Sequence, residues 1–168
     1  GRSQKIEDTT MGWRFINPKL KEMYGVDTMP QTAENLAEQF NINREDQDKF
    51  ALTSQQRTAA AQANGFFAKE IIPVVIPQHK GDPVIVDSDE HPRASTTAEA
   101  LAKLKPVVKA EGTVTAGNAS GINDGAAALL IASDEAVAQH GLKPRANIIG
   151  STVVGVEPRI MGFGPAPA

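Results

Sequence analysis

TAGNASGINDGAAALLIAS, residues 115–133, contains three glycines at four-residue intervals, Gly117, Gly121 and Gly125, followed by a smooth apolar run. Small residues at this density allow the backbone to lie very close to another group. Two interpretations are open. The glycines pack backbone against backbone, or they line a narrow passage in which an extended ligand contacts exposed amides and the Ser120 hydroxyl.

Downstream of the glycines, the sequence predicts a β–α–β alternation. Ala126–Ala132 is a continuous apolar run, which predicts a fully buried strand. Ser133 is a suitable N-cap for a helix over residues 134–140, and Gly141 supplies its C-terminal stop. A second apolar run, Ala146–Val156, predicts another buried strand. This part of the chain is therefore expected to form an α/β layer.

Up to about residue 114 the pattern is irregular and predicts mainly helices. Asn43 is a good N-cap for the longest helix, expected over residues 44–64 and ended by Gly65. Two shorter helices and two β-rich runs complete this part: a helix capped by Thr32 through about Phe40, a helix with a capping box at Thr96 and Glu99 that ends at Pro106, and the runs Glu70–Ile76 and Val84–Asp87.

Composition excludes several classes of function. The 168 residues carry a net charge of -3, which leaves no basic footprint for nucleic acid. No apolar run reaches the roughly 18 residues that a transmembrane helix needs. The chain contains no cysteine, so disulfides, Cys-ligated metals and thiolate nucleophiles within it are excluded. We expect a cytoplasmic protein without nucleic-acid or membrane partners.

The common catalytic and metal-binding motifs are missing from the sequence. Neither the dinucleotide fingerprint nor the P-loop occurs, and the serine of GNASG is displaced by one position from a nucleophile elbow. His79, His91 and His140 lack metal-type spacing, so surface or capping roles are expected and no metal site is predicted. By itself, Arg93 is expected to be a surface charge.

Four segments resemble, in order and spacing, segments of the thiolases, enzymes that make or cleave 3-oxoacyl thioesters of coenzyme A. These are MPQTAENLAEQF (29–40), TTAEALAKLKPVV (96–108), the glycine-containing stretch (115–133) and VGVEPRIMGFGPAPA (154–168). KIEDTTMGWRFINPKL (5–20) together with DEHPR (89–93) resembles the subgroup that acts on 3-oxoadipyl-CoA in aromatic-compound breakdown. The resemblance spans essentially the whole chain.

The resemblance implies an α/β thiolase fold, in which an α-rich loop domain is inserted into the first of two similar α/β halves. Residues 1–120 would form the loop domain. Residues 121–150 would form the returning strand and helix of the first half, and residues 151–168 would begin the second half. The division agrees with the two zones that the residue pattern predicts.

The resemblance also implies which functional residues the chain contains. Thiolase catalytic cysteines and the catalytic histidine lie upstream of the loop domain and downstream of the MGxGP segment, so none is expected in this chain. A coenzyme A site is expected instead. Ser120 would hydrogen-bond the slender pantetheine arm, Ala116 would line it, and Arg93 would lie near the adenine and phosphate end. Met29 and Met161 would form apolar walls close to the reacting thioester.

The complete enzyme so implied would cleave 3-oxoadipyl-CoA with coenzyme A to succinyl-CoA and acetyl-CoA by ping-pong acyl transfer. Coenzyme A would be a substrate, and the full-length form would be a homodimer or homotetramer. The isolated chain is expected to be inactive, because the catalytic cysteines and histidine would lie outside it. Both ends are interpreted as cuts through a longer protein, since the chain starts without Met and ends in the Gly/Pro-rich GFGPAPA. The alternatives are a non-catalytic, thiolase-derived coenzyme A-binding or assembly module, and an unrelated α/β domain whose glycines only pack.

Overall fold

The computed structural model describes Ile6 and residues 12–168. This part of the chain contains five α-helices, two 3₁₀ segments and one two-stranded sheet. They are α1 (Pro18–Tyr24), α2 (Met29–Gln39), α3 (Arg44–Ala63), a 3₁₀ turn (Phe67–Lys69), β1 (Val74–Ile76), β2 (Val84–Val86), α4 (Ala98–Ala102), α5 (Asp134–His140) and a 3₁₀ segment (Pro158–Phe163). The sequence KIEDTTMGWRFINPKL lies partly outside the described residues, at Lys5 and residues 7–11.

The longest helix, α3, has the ends that the sequence predicts. The Asn43 side chain accepts a hydrogen bond from the Asp46 backbone N–H at 2.8 Å, which satisfies one of the unpaired donors of the first turn. After the helix the chain turns at Gly65, whose φ of 73° favours glycine. The buried side of α3 is polar at Asp48, which is charged and buried, whereas the apolar Phe50 is 80% exposed.

Helices α1 and α2 begin at start signals that were not used in predicting helices from the sequence. The Gln31 carboxamide oxygen accepts a hydrogen bond from the Thr28 backbone N–H at 2.7 Å, so α2 begins before Thr32. Pro30 fits in the first turn, where its missing N–H costs nothing. In the same way Asn17 Oδ1 accepts a hydrogen bond from the Lys19 N–H at 2.9 Å and starts α1, a helix that was not predicted from the sequence.

The predicted β-rich runs form a short antiparallel hairpin. Val74 is paired with Val86, and Ile76 with Val84, while the connection passes through Gly81 with a φ of 86°. Every residue of β1 and β2 is exposed. Within the described residues this hairpin is a separate two-stranded sheet and is not part of a larger one.

The two strands predicted after the glycines are wrong for this structure. Neither Ala126–Ala132 nor Ala146–Val156 contains a strand, and none of their side chains is buried, with Leu129 exposed to 87% and Ile149 to 99%. A strand requires the N–H and C=O groups of a neighbouring strand. The described residues provide only β1 and β2, which pair with each other. The predicted helix between the runs is present as α5, with the Ser133 cap.

Four apolar side chains are buried among the described residues, which is too few for a large core. Leu101 of α4 and Val114 are 4% and 3% exposed. Ala37 of α2 and Ile160 of the second 3₁₀ segment are 7% and 8% exposed. An equal number of polar side chains is buried, and among the described residues every buried side-chain N or O atom has a hydrogen-bond partner.

Candidate functional site

A polar stripe on α3, consisting of Arg44, Asp48 and Gln55, faces the segments that the sequence assigns to the site. Residues four and eleven positions apart on a helix lie within about 40° of each other around its axis. Arg44 donates from Nε to Asp48 Oδ2 at 2.7 Å. Its Nη2 donates to the carbonyl oxygens of Leu101 and Leu104, at 2.7 Å and 3.1 Å, and so attaches the C-terminal end of α4 to α3.

The glycine loop, residues 113–121, is held in shape by Asn118. Its Oδ1 accepts from the Thr115 N–H at 2.8 Å, while its Nδ2 donates to the Thr113 carbonyl at 2.9 Å. The same Nδ2 donates to Asp48 Oδ1 at 3.0 Å, which ties the loop to the polar stripe on α3. Thr115 is fully buried, and its Oγ1 accepts from the Gly117 N–H at 3.2 Å. One asparagine therefore determines both the turn and its attachment.

Glu34 of α2 holds the other end of the loop from a nearly buried position, with an exposed fraction of 4%. Its carboxylate accepts from the Thr113 N–H at 2.7 Å, the Thr113 hydroxyl at 2.9 Å and the Val114 N–H at 3.0 Å. Burial is the largest single influence and acts to raise the pKa of Glu34. The hydrogen bonds from Val114 and Thr113, with the charge of Lys109, outweigh it and lower the pKa below its ordinary value.

The glycines of the loop differ in what surrounds them. A Cβ on Gly117 would lie 2.5 Å from the methyl groups of both Leu101 and Leu104, so this glycine packs against α4 and the residues that follow it. A Cβ on Gly121 would lie 2.6 Å from Nδ1 of the His91 ring. None of the described atoms lies within 4 Å of a Cβ placed on Gly125. Close packing therefore accounts for two of the three glycines in this structure.

Arg93 lies in the turn between the hairpin and α4, and its side chain is exposed. Its backbone N–H donates to Gln55 Oε1 of the α3 stripe at 2.8 Å. Its carbonyl accepts hydrogen bonds from the Thr96 N–H and hydroxyl, at 3.1 Å and 2.8 Å. The backbone at Arg93 is thus anchored by three hydrogen bonds while the residue stays exposed.

Ala116 and Ser120 are both exposed on the glycine loop. The contact between Gly121 and His91 brings Ser120 and Arg93 into neighbouring segments, because each lies within two residues of it. The structure therefore brings together three of the predicted residues, those on the glycine loop and the Arg93 turn. In this structure the glycine loop and the Arg93 turn are both held on α3.

Met29 and Met161 lie on a second pair of elements. Met29 is the first residue of α2 and is 65% exposed, and Met161, in the 3₁₀ segment Pro158–Phe163, is 46% exposed. This segment packs on α2, where Asn35 Nδ2 donates to the Arg159 carbonyl at 2.9 Å. Both methionines therefore belong to one packed unit and keep their side chains accessible.

An ion pair attaches this unit to the loop that precedes α2. Arg159 Nε donates to Asp27 Oδ2 at 2.9 Å, and Asn35 Nδ2 donates to the same oxygen at 2.7 Å. The Arg159 hydrogen bond, followed by that of Asn35, lowers the pKa of Asp27 below its ordinary value, although partial burial opposes the change.

Two surface cavities are lined by other residues than the predicted site residues, although the first lies next to Met161 in the chain. One, of about 320 Å³, is lined by Asn35, Glu38, Gln39, Glu157, Arg159 and Ile160. The other, of about 530 Å³, lies along the exposed face of α3 beside Phe50. Within the described ranges no cluster of three or more His, Asp or Glu side chains could hold a metal ion. No described helix is both long and apolar enough to cross a bilayer.

Glu34, Asp48 and Asn118 are the important residues that the sequence reasoning missed. Each is a polar residue that a periodicity argument assigns to the surface. Each also makes at least one hydrogen bond to a residue 70 or more positions away in the chain. One local signal was available for Asn118. An asparagine among glycines and small polar residues is typical of a turn whose side chain hydrogen-bonds nearby backbone.

The family description "Thiolase, N-terminal domain" matches residues 2–135. The chain belongs to the thiolase family, as its sequence motifs predict. Its relatives include the beta-ketoadipyl-CoA thiolase of Acinetobacter baylyi, which is 82% identical over 168 residues, the whole of this chain and 42% of that protein. The chain thus spans less than half the length of this relative.

Solved structures agree with this assignment. The acetyl-CoA acetyltransferase of Bacillus anthracis matches with a TM-score of 0.83 and 44% identity, over 99% of this chain and 41% of that one. Human mitochondrial 3-ketoacyl-CoA thiolase in complex with CoA matches with a TM-score of 0.76 and 50% identity, over 84% of this chain and 34% of that one. The fold is therefore that of the N-terminal thiolase region, although the described part of this chain is mainly helical.

Proposed function

We propose that this chain is the coenzyme A-binding segment of a thiolase that cleaves 3-oxoadipyl-CoA with coenzyme A to give succinyl-CoA and acetyl-CoA. The similarity to beta-ketoadipyl-CoA thiolases supports the acyl substrate. A relative solved with CoA supports the ligand. We propose the same domain division as above: residues 1–120 form the loop domain, residues 121–150 belong to the first α/β half, and residues 151–168 begin the second half.

The observation that carries the proposal is the meeting of the glycine loop and the Arg93 turn at Gly121 and His91. An extended, anionic ligand needs a cation at one end and neutral hydrogen-bonding groups along its arm. Arg93 supplies the cation for the phosphate end, and the Ser120 hydroxyl donates to or accepts from an amide of the pantetheine arm. Ala116 leaves room for the arm beside the loop.

Met29 and Met161 serve as adaptable apolar walls nearer the reacting thioester. Their exposure in this chain fits a surface that a substrate or another part of the enzyme covers. Because the chain contains no cysteine, the nucleophile and the acid/base groups of acyl transfer come from elsewhere in the longer protein. We propose a homodimer or homotetramer for that protein.

A comparison of activities tests the proposed reaction. The purified chain is expected to show no thiolysis of 3-oxoadipyl-CoA, whereas the natural-length gene product that contains it is expected to release acetyl-CoA in a coenzyme A-dependent manner. Acetoacetyl-CoA serves as the competing substrate, and the larger kcat/KM is expected for 3-oxoadipyl-CoA. Thiolysis by the chain alone, or a natural-length product without thiolysis, would contradict the proposal.

Calorimetric titration of the natural-length protein with coenzyme A tests the site residues. Arg93→Ala and Ser120→Ala are each expected to weaken binding, by about tenfold for the charged contact and by a few-fold for the neutral one. Arg145→Ala is the matched control, because Arg145 is an exposed arginine outside both segments. Equal affinities for the parent protein, Arg93→Ala and Ser120→Ala would exclude these residues from the site.

A further inference from the structure

One helix contacts both segments of the proposed coenzyme A site, at two positions two turns apart. Asp48 accepts from Asn118 of the glycine loop at 3.0 Å, and Gln55 accepts from the Arg93 N–H at 2.8 Å. Seven residues of α-helix separate the two contacts by about 10 Å along the axis. Asp48 is buried and Gln55 half-buried, whereas Arg93 is exposed, so the Asp48 contact is partly shielded from water and the Gln55 contact is the more accessible one.

We propose that the polar stripe on α3 sets the spacing between the two ends of the coenzyme A site, with Gln55 positioning Arg93 and the Asp48–Asn118 pair positioning Ser120. The inference rests on the proposed function. It adds residues that touch no ligand themselves and act through the backbone that they hold.

The geometry favours positioning over a general packing role. Each contact from the stripe ends on backbone or on the side chain that shapes the loop, not on an apolar neighbour. Asn118 uses its carboxamide on Thr113, Thr115 and Asp48 at once, so its rotamer and the loop conformation are determined together. Arg44 in turn fixes Asp48 by a 2.7 Å hydrogen bond. A rigid helix with side chains locked by further hydrogen bonds is the support that a precise binding site requires.

The two contacts should therefore control different parts of the ligand. Gln55 acts at the adenine and phosphate end through Arg93, whereas Asn118 acts at the pantetheine arm through Ser120. A thiol that lacks the adenosine phosphates would not depend on Gln55 but would still depend on Asn118. General destabilisation would weaken the use of both thiols equally, so the ratio between the thiols separates positioning from folding.

The experiment uses the natural-length gene product at saturating 3-oxoacyl-CoA, with either coenzyme A or pantetheine as the acyl acceptor. Gln55→Ala is expected to raise the KM for coenzyme A by about fivefold, to leave the KM for pantetheine unchanged and to leave kcat unchanged in both cases. Asn118→Ala is expected to raise KM for both acceptors. Gln56→Ala, which alters the exposed neighbouring glutamine of the same helix, is the matched control and should match the parent protein.

The test applies when the unsubstituted protein is active. The inference then fails if Gln55→Ala changes the KM for both thiols by the same factor, or changes the KM for neither. If Asn118→Ala does not fold, the Gln55→Ala result decides alone, because that variant loses only one hydrogen bond at a half-buried position. A parent protein without coenzyme A-dependent thiolysis refutes the proposed function instead, so the two failures are distinguishable.

Discussion

Replacing Glu34 by alanine tests whether α2 holds the glycine loop through a buried carboxylate. The substitution removes the acceptor of the Thr113 and Val114 N–H groups and of the Thr113 hydroxyl. Val114 is 3% exposed, so its N–H cannot regain water without opening of the loop. The half-buried Thr113 can recover some of its hydrogen bonding from solvent.

The expected magnitude follows from these burial differences. A buried donor left without a partner costs roughly 1–3 kcal/mol, and the donors that reach water cost less. We therefore expect the free energy of opening the loop to fall by about 2 kcal/mol. Since 1.4 kcal/mol corresponds to a factor of ten, the amide protons of the loop should exchange about 30-fold faster.

Hydrogen–deuterium exchange of the chain, followed in peptides that cover residues 105–118, measures this effect. The control is Glu38→Ala, one turn further along α2. The Glu38 side chain is 60% exposed, and its carboxylate pairs with Lys109. Exposed ion pairs of this kind contribute little to stability. The Glu38→Ala variant should therefore exchange within about twofold of the parent chain in these peptides.

The same residue gives a pH dependence with a defined sign. The pKa of Glu34 is lowered in the folded chain, so its stabilising contribution is complete above the ordinary value of 4.5 and is lost as the pH falls through the lowered pKa. The exchange difference between the parent chain and Glu34→Ala should thus shrink below pH 4.5. A difference that is absent at pH 7, or that grows on acidification, would refute the role of the carboxylate.

Two further predictions concern packing and the Asp27 ion pair. Gly117→Val should reduce the free energy of unfolding in urea by about 1–3 kcal/mol, because the new side chain overlaps Leu101 and Leu104. Gly125→Val, where no described atom lies within 4 Å of the new Cβ, should change it much less, and an equal loss at both positions would contradict the packing argument. Asp27→Asn should cost less than about 1 kcal/mol, since the partner Arg159 side chain is 60% exposed. The cost should vanish in urea titrations as the pH falls through the lowered Asp27 pKa, below 3.8; a cost independent of pH would show that charge is not involved.

Local sequence signals predicted the elements whose hydrogen bonds are made within a few residues. Asn43 and Gly65 delimit α3, and Ser133 and Gly141 delimit α5, because caps and left-handed stops act on adjacent backbone. The start of α1 at Asn17 was available from the same kind of signal and was missed. Short-range rules therefore predict helices well when every cap residue is weighed.

The two runs after the glycines, which were predicted as buried strands, show where such local signals fail. Ala126–Ala132 has the composition of a buried strand, yet its residues are exposed and unpaired with any strand in the described part of the chain. An apolar composition indicates that a segment prefers to be buried. Whether the segment forms a strand depends on a neighbouring strand that can pair with it through a ladder of hydrogen bonds.

The amino-acid sequence by itself determined the family, the helical caps and the residues proposed to contact coenzyme A. Each of these depends on residue types at short or fixed spacing. Only the tertiary structure decided how those residues are held: Glu34 and Asp48 meet loop groups that follow them by 70 residues or more. Such contacts leave no periodic trace, because the satisfaction of a buried polar group depends on which partner the fold brings within hydrogen-bonding distance.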